Sequence, residues 1–132
     1  MNNKATTKEE PQTKKPTQAE LELLRVLWKV GPCSAKHAHQ EAQSERPELA
    51  YSAVLRLLQV MHQKGLVWRD ESAKAHIYGA QQEAEDLKTN LVKDLIEKAF
   101  AGSAKALVLA ALRTKISAKE RAEIQQLLDE EN

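Results

Sequence analysis

The sequence is poor in the residues that build extracellular and all-β proteins. It has a single cysteine, Cys33, in 132 residues, so no internal disulfide can form and a reducing, cytoplasmic setting is expected. Four glycines, four prolines and 4% aromatic residues are too few for a β-sandwich, which needs many turns and favours aromatic strands. No apolar run approaches the roughly 20 residues of a membrane span, so no membrane insertion is expected. The segment Met1 to Pro16 is polar and lacks the apolar region of a secretory signal, so export is not expected either. An excess of one charge is also missing, because 20 Lys and Arg face 19 Asp and Glu, a formal net charge of +1. Grouped chemistry is equally scarce. His62 and His76 have no paired carboxylate or nucleophile beside them, and Cys33, His37 and His39 are followed by no further ligand cluster. An enzyme, a metal site and a cofactor are therefore not expected.

The chain does carry apolar periodicity. Hydrophobic residues make up 42% and charged residues 30%, enough for a modest core in a globular chain. Residues 1–78 hold twelve basic and nine acidic side chains, net +3, and residues 79–132 hold eight and ten, net −2. The two parts are expected to face different partners. Residues 1–16, with Lys4, Lys8, Lys14 and Lys15 between Pro11 and Pro16, show no apolar period and read as a flexible basic tail.

Thr17 and Glu20 have the spacing of a capping box, in which each side chain satisfies an orphan backbone donor. A helix over about 18–30 follows, with Leu21, Leu24, Leu27 and Trp28 on one face and Gly31-Pro32 as its stop. Ser34 is suited to cap a second helix of about 35–45 with Ala35, Ala38 and Ala42 inside. A third helix of about 50–64 buries Val54, Leu57, Leu58 and Met61 and ends at Gly65. Its opposite side aligns Ser52, Arg56, Gln59 and Gln63. Two short β-prone runs, Leu66 to Asp70 and Ala75 to Tyr78, then flank a polar connector. Three helices followed by a hairpin is the order of a winged helix, here over residues 17–80, with the third helix for recognition. The expected fold class is mainly α with a small β-hairpin wing.

Residues 81–132 read as three more helices, forming a dimerisation module. Their apolar seam comprises Leu87, Leu91, Leu95, Ile96 and Phe100, then Leu107, Val108 and Leu112, then Ile124, Leu127 and Leu128. A tail of about 50 residues buries too little surface to be comfortably stable alone, and a second copy of the chain would cover the seam.

A recognition helix in the major groove meets distinct donor and acceptor patterns, and Arg56 is the main candidate for a bidentate bond to a guanine edge. Tyr51 and Ser52 lie near the helix start, where phosphates or a neighbouring base are in reach, and Gln59 follows two turns on. Arg46, Lys64, Arg69 and Lys74 are candidates for the phosphate backbone. Any amphipathic helix has a polar side, so the helix-plus-hairpin context is what favours DNA. The rival reading is a winged-helix protein-interaction adaptor with little specific DNA binding.

The ordered set Thr17-x-x-Glu20, Leu27-Trp28, Leu49-Ala50-Tyr51-Ser52-Ala53-Val54-Leu55-Arg56, Lys64-Gly65-Leu66-Val67 and His76-Ile77-Tyr78 resembles the penicillinase-repressor family of winged-helix transcriptional regulators (the BlaI/MecI/CopY group). The likeness extends from about Thr17 to Leu128. It implies a homodimeric repressor on a palindromic operator of a resistance or stress operon, with the C-terminal helices joining two protomers. It adds Ala53 to the DNA-facing set, since many relatives carry Lys-Thr where this chain has Ser52-Ala53. In one branch a membrane sensor protease triggers cleavage at an Asn-Phe bond. The matching position here is Asp94-Leu95, a departure that argues against cleavage at this bond. Copper-sensing relatives end in a cysteine cluster, which this chain does not have.

Overall fold

The computed structural model describes residues 15–131, and the basic tail expected over residues 1–16 lies almost wholly outside them. The described chain has six helices and one small antiparallel sheet. They run α1 (Gln18–Val30), β1 (Cys33–Ser34), α2 (Ala35–Ala42), α3 (Tyr51–Lys64), β2 (Val67–Asp70), β3 (Ile77–Ala80), α4 (Ala84–Ala99), α5 (Ala104–Arg113) and α6 (Ala118–Glu131). This is the winged-helix order followed by a helical C-terminal module, and the expected fold class holds. The chain divides into two compact units with the boundary at Thr89 and Asn90, inside α4.

Local sequence sets the ends of the elements. The Thr17 hydroxyl accepts the Glu20 N–H at 3.2 Å, and the Glu20 carboxylate accepts the Thr17 N–H at 2.9 Å, closing the capping box of α1. Ser34 caps α2 by accepting the His37 N–H at 3.2 Å. That helix is shorter than expected, because the chain passes into turns after Ala42, with the Arg46 N–H on the Ala42 carbonyl at 3.0 Å. Gly65 ends α3 in the left-handed conformation (φ 82°, ψ 15°), where a Cβ would be penalised.

The hairpin pairs Val67 with Ala80 through Asp70 with Ile77, and β1 joins its other edge, Cys33 opposite Tyr78 and Ser34 opposite Ile77. Sheet order is β1-β3-β2. The two-residue strand β1 was not expected, since Cys33-Ser34 is too short to show an alternating period. The wing starts one residue later and its second strand two residues later than the sequence suggested. Trp68 and Gly79 are directly opposite across the hairpin, and the indole lies so close over Gly79 that a Cβ there would overlap it.

The core of this first unit is assembled from all its layers: Leu23, Leu24 and Leu27 of α1, Ala38 of α2, and Val54, Leu58 and Met61 of α3. Val67 and Tyr78 close it from the sheet side. Full burial of side chains such as Leu58 and Met61 contributes roughly 1.5 to 3 kcal/mol each as an upper bound. In the unit from Asn90 onward the described residues include no buried side chain, although Ser103 and Ser117 cap α5 and α6 by accepting the N–H of Ala106 and Glu120, both at 3.0 Å.

Candidate nucleic-acid interface

Burial of Val54, Leu58 and Met61 fixes the rotation of α3, because these residues occupy one side of the helix and must face the core. The opposite side then necessarily presents Tyr51, Ser52, Arg56, Gln59 and Gln63, all exposed. Ala53 is half-buried at the edge of this face. Arg56 has no carboxylate partner among the described residues, so its planar fork is free for a ligand. The start of α3 is equally open: Ala50 offers no capping side chain and the first turn holds no acid. Its amide donors and the positive end of the helix dipole are thus available to an anion.

The aromatic ring of Tyr51, 45% exposed, stands edge-on to the His39 imidazole with centroids 5.8 Å apart. His39 Nε2 in turn is 2.8 Å from the Leu49 carbonyl oxygen. A side chain of α2 therefore holds both the connector and the first residue of the recognition helix. Nothing in the sequence singles out His39 for this, since the contact depends on how α2 and α3 cross.

The other cations divide by their partners. Lys74, at the wing tip, is exposed and unpaired among the described residues. Arg69 is bonded to Glu71 at 2.6 Å, and the Tyr78 hydroxyl and Glu71 together raise its affinity for its proton. Arg46 meets Glu22 at 2.7 Å and Glu48 at 3.1 Å, and these bonds act on it in the same direction. Lys64 is different, because its ammonium donates to both carboxylate oxygens of Glu20 at 2.8 and 3.0 Å, and Glu20 is only 2% exposed. The capping-box glutamate of α1 thus also anchors the end of α3, 44 residues away. The spacing from Thr17 shows only the capping role of Glu20.

The wing bends through Asp70, whose carboxylate accepts the Ser72 N–H at 2.9 Å, a bond that lowers the Asp70 pKa. Trp68 is 37% exposed on β2, an aromatic surface that the sequence did not bring forward. Cys33 is buried in β1, and burial followed by the nearby Glu41 charge raises its thiol pKa. Among the described residues no three His, Cys, Asp or Glu side chains group as metal ligands. No helix among them is long and apolar enough to cross a membrane.

Of the seam expected in residues 81–132, Leu87 is buried in the first unit. Leu91, Ile96, Phe100, Leu107, Leu112 and Ile124 are half-buried. Leu95, Val108, Leu127 and Leu128 are exposed, as are Val92 and Leu109. The Asp94-Leu95 bond lies within α4, where Asp94 meets Lys98 at 3.1 Å.

Comparison with known proteins identifies the family. A family model described as Penicillinase repressor matches residues 16–130. The chain is 24% identical over 115 residues to the Penicillinase repressor of Staphylococcus aureus, covering 86% of this chain and 90% of that protein. It is 27% identical over 93 residues to the Methicillin resistance regulatory protein MecI of Mammaliicoccus sciuri, covering 70% and 75% respectively. Both relatives are named as regulators. The chain belongs to the penicillinase repressor family, whose members are DNA-binding transcriptional repressors.

Proposed function

We propose that this protein represses transcription in the cytoplasm by binding a palindromic operator as a homodimer, each protomer placing α3 in a major groove. The observation that carries the reading is the exposed face of α3, on which Arg56 has no carboxylate partner among the described residues while the opposite face is locked into the core. Arg56 reads a guanine edge, and Gln59, Ser52 and Tyr51 read or position around it, with Ala53 beside them at the helix start. Lys74 meets phosphate from the wing. Arg46 and Arg69 sit at the surface on glutamates that a phosphate can replace. Lys64 acts at one remove, by fixing where α3 ends.

Dimerisation is supported by the C-terminal unit, which leaves Val92, Leu95, Val108, Leu109, Leu127 and Leu128 exposed and buries nothing among its described residues. Apolar surface on that scale marks an interaction site. Two linked half-site contacts then gain by effective concentration. The regulated genes are those of a resistance or stress operon; the relatives' names, a penicillinase repressor and a methicillin resistance regulatory protein, support the resistance alternative. Induction by a membrane sensor protease at Asp94-Leu95 has less support, because a protease takes an extended substrate and this bond is inside a helix.

The test is selection of bound duplexes from a random pool, with sedimentation of the free protein and of the complex. A palindromic winner bound by two chains is the expected result, and Arg56→Ala is expected to weaken it by ~1 to 3 kcal/mol while relaxing base preference. No enrichment, or equal loss on operator and random DNA, refutes the reading and favours the protein-adaptor alternative.

A further inference from the structure

The first unit contains a cavity of about 290 Å³ bordered by α1, the end of α2 with the turns beyond it, and one residue of α3. Leu23, Val26, Leu49 and Leu57 give it an apolar lining. Its charges are sorted by segment. Arg25 and Lys29, one turn apart on α1, line it without a carboxylate partner among the described residues. Glu41 and Glu45, from the end of α2 and the turn beyond, line it too. Glu45 is unpaired among the described residues, and Glu41 has only the His37 imidazole, 3.9 Å away. The remaining two charges, Glu22 and Arg46, neutralise each other at 2.7 Å.

We propose that this cavity binds a small amphipathic zwitterion, its carboxylate on Arg25 and Lys29 and its ammonium on Glu41 and Glu45. A purely anionic ligand would satisfy the α1 cations but bring like charge to the glutamates. A cation has the converse defect, and a neutral apolar molecule would pair none of the four charges. Ligand pockets usually run from about 300 to 1,000 Å³, so this one is at the small end and suits an apolar body the size of an aromatic amino acid.

The site also bears on DNA. The Arg46–Glu22 bond ties the connector to α1, and Leu49 of the same connector is held by His39 beside the start of α3. A ligand seated between α1 and the connector favours one connector position, so it changes operator affinity, and the operator changes ligand affinity by the same factor. This coupling rests on the repressor reading; the binding site does not.

The experiment titrates the ¹⁵N-labelled full chain with L-phenylalanine, phenylacetate and phenethylamine, which share one apolar body and differ in charge. Phenylalanine is expected to give saturable shifts in the amides of residues 19–29 and 41–49, binding roughly fivefold tighter than either singly charged probe, as one exposed ion pair allows. Arg25→Glu and Glu45→Lys, both at exposed positions, are each expected to abolish that preference. No saturable shift up to about 10 mM, equal affinity for all three probes, or shifts confined to other residues overturns the site. Affinity for the selected duplex is then measured with and without phenylalanine. An altered affinity supports the coupling and an unchanged one overturns it while the site stands. Failure to bind any duplex sinks the repressor reading and leaves the titration to judge the site.

Discussion

Lys64→Ala is expected to destabilise the protein more than Glu20→Ala, although both remove the same ion pair. Glu20 is only 2% exposed, whereas the Lys64 side chain is 21% exposed. Removing Lys64 strands a carboxylate in the interior with the Thr17 N–H as its one remaining donor. Breaking a buried pair in this way costs about 3 to 5 kcal/mol, because the remaining charge is desolvated without compensation. Removing Glu20 strands a cation on a flexible stem that can turn its head to water, so the ion-pair part falls to about 1 kcal/mol. Loss of the capping-box carboxylate adds roughly 0.5 to 1 kcal/mol, giving about 2 kcal/mol in all for Glu20→Ala. The double variant Glu20→Leu, Lys64→Met, which removes both charges and keeps the volume, is expected to cost less than Lys64→Ala alone. Both tryptophans, Trp28 and Trp68, lie in the unit that the pair braces, so urea unfolding followed by tryptophan fluorescence reads it directly. Protein concentration is held fixed because association adds to apparent stability. A loss under about 1 kcal/mol for Lys64→Ala, or a larger one for Glu20→Ala, refutes the assignment of Glu20 as the buried and dependent partner.

Gly79→Ala is expected to destabilise by ~1 to 3 kcal/mol, since the new Cβ must displace the Trp68 indole. A Trp68→Ala, Gly79→Ala double variant that loses less than the sum of the two singles, by thermal unfolding, would show that the overlap is the cause. The Cys33 thiol, raised in pKa by burial, is expected to react with an aromatic disulfide reagent at pH 8 only after unfolding; reaction of the native protein at the unfolded rate would contradict its burial. By linkage, a raised folded pKa means that the unfolded thiol ionises first, so this group's contribution to stability is intact below the ordinary thiol pKa and declines as pH rises through the folded one.

The winged-helix order was legible because its signals are local. Thr17 with Glu20, Ser34 and Gly65 each announce a helix end through bonds spanning a few residues, and all three act as their spacing suggested. The period of Val54, Leu58 and Met61 likewise fixed which face of α3 looks outward. Contacts between distant segments were illegible. Strand β1 exists only because β3 offers Cys33 and Ser34 an edge. The early end of α2 follows from turns that place Arg46 against Glu22, and Lys64 shows itself as an internal cation only once Glu20 is beside it. The charge tally could not reveal this last point, since it counts Lys64 and Lys74 alike.

The division of cations into paired and unpaired groups sets a measurable limit on how the operator is held. Each phosphate neutralised on duplex DNA contributes about −0.9 to the slope of log affinity against log salt. If Arg46 and Arg69 exchange Glu22, Glu48 and Glu71 for phosphates, two contacts in each of two protomers contribute about −3.6. If the glutamates keep them, they contribute nothing and the slope rests on Lys74, the α3 terminus and whatever else reaches the backbone. Exchange is the expected outcome, because each pair has a side open to solvent: the Arg46 and Glu48 side chains are 46% and 72% accessible, and Glu71 is 51% accessible against 24% for its partner Arg69. Exposed pairs of this kind are worth roughly 0 to 1 kcal/mol, whereas a charge-assisted bond to phosphate is stronger and adds the entropy of released counterions. The Arg46→Gln, Arg69→Gln double variant is therefore expected to flatten the slope by about 3 to 4 while leaving the preferred sequence unchanged. An unaltered slope would show that both arginines brace the protein itself, and that the phosphate contacts come from Lys74, the start of α3 and other groups.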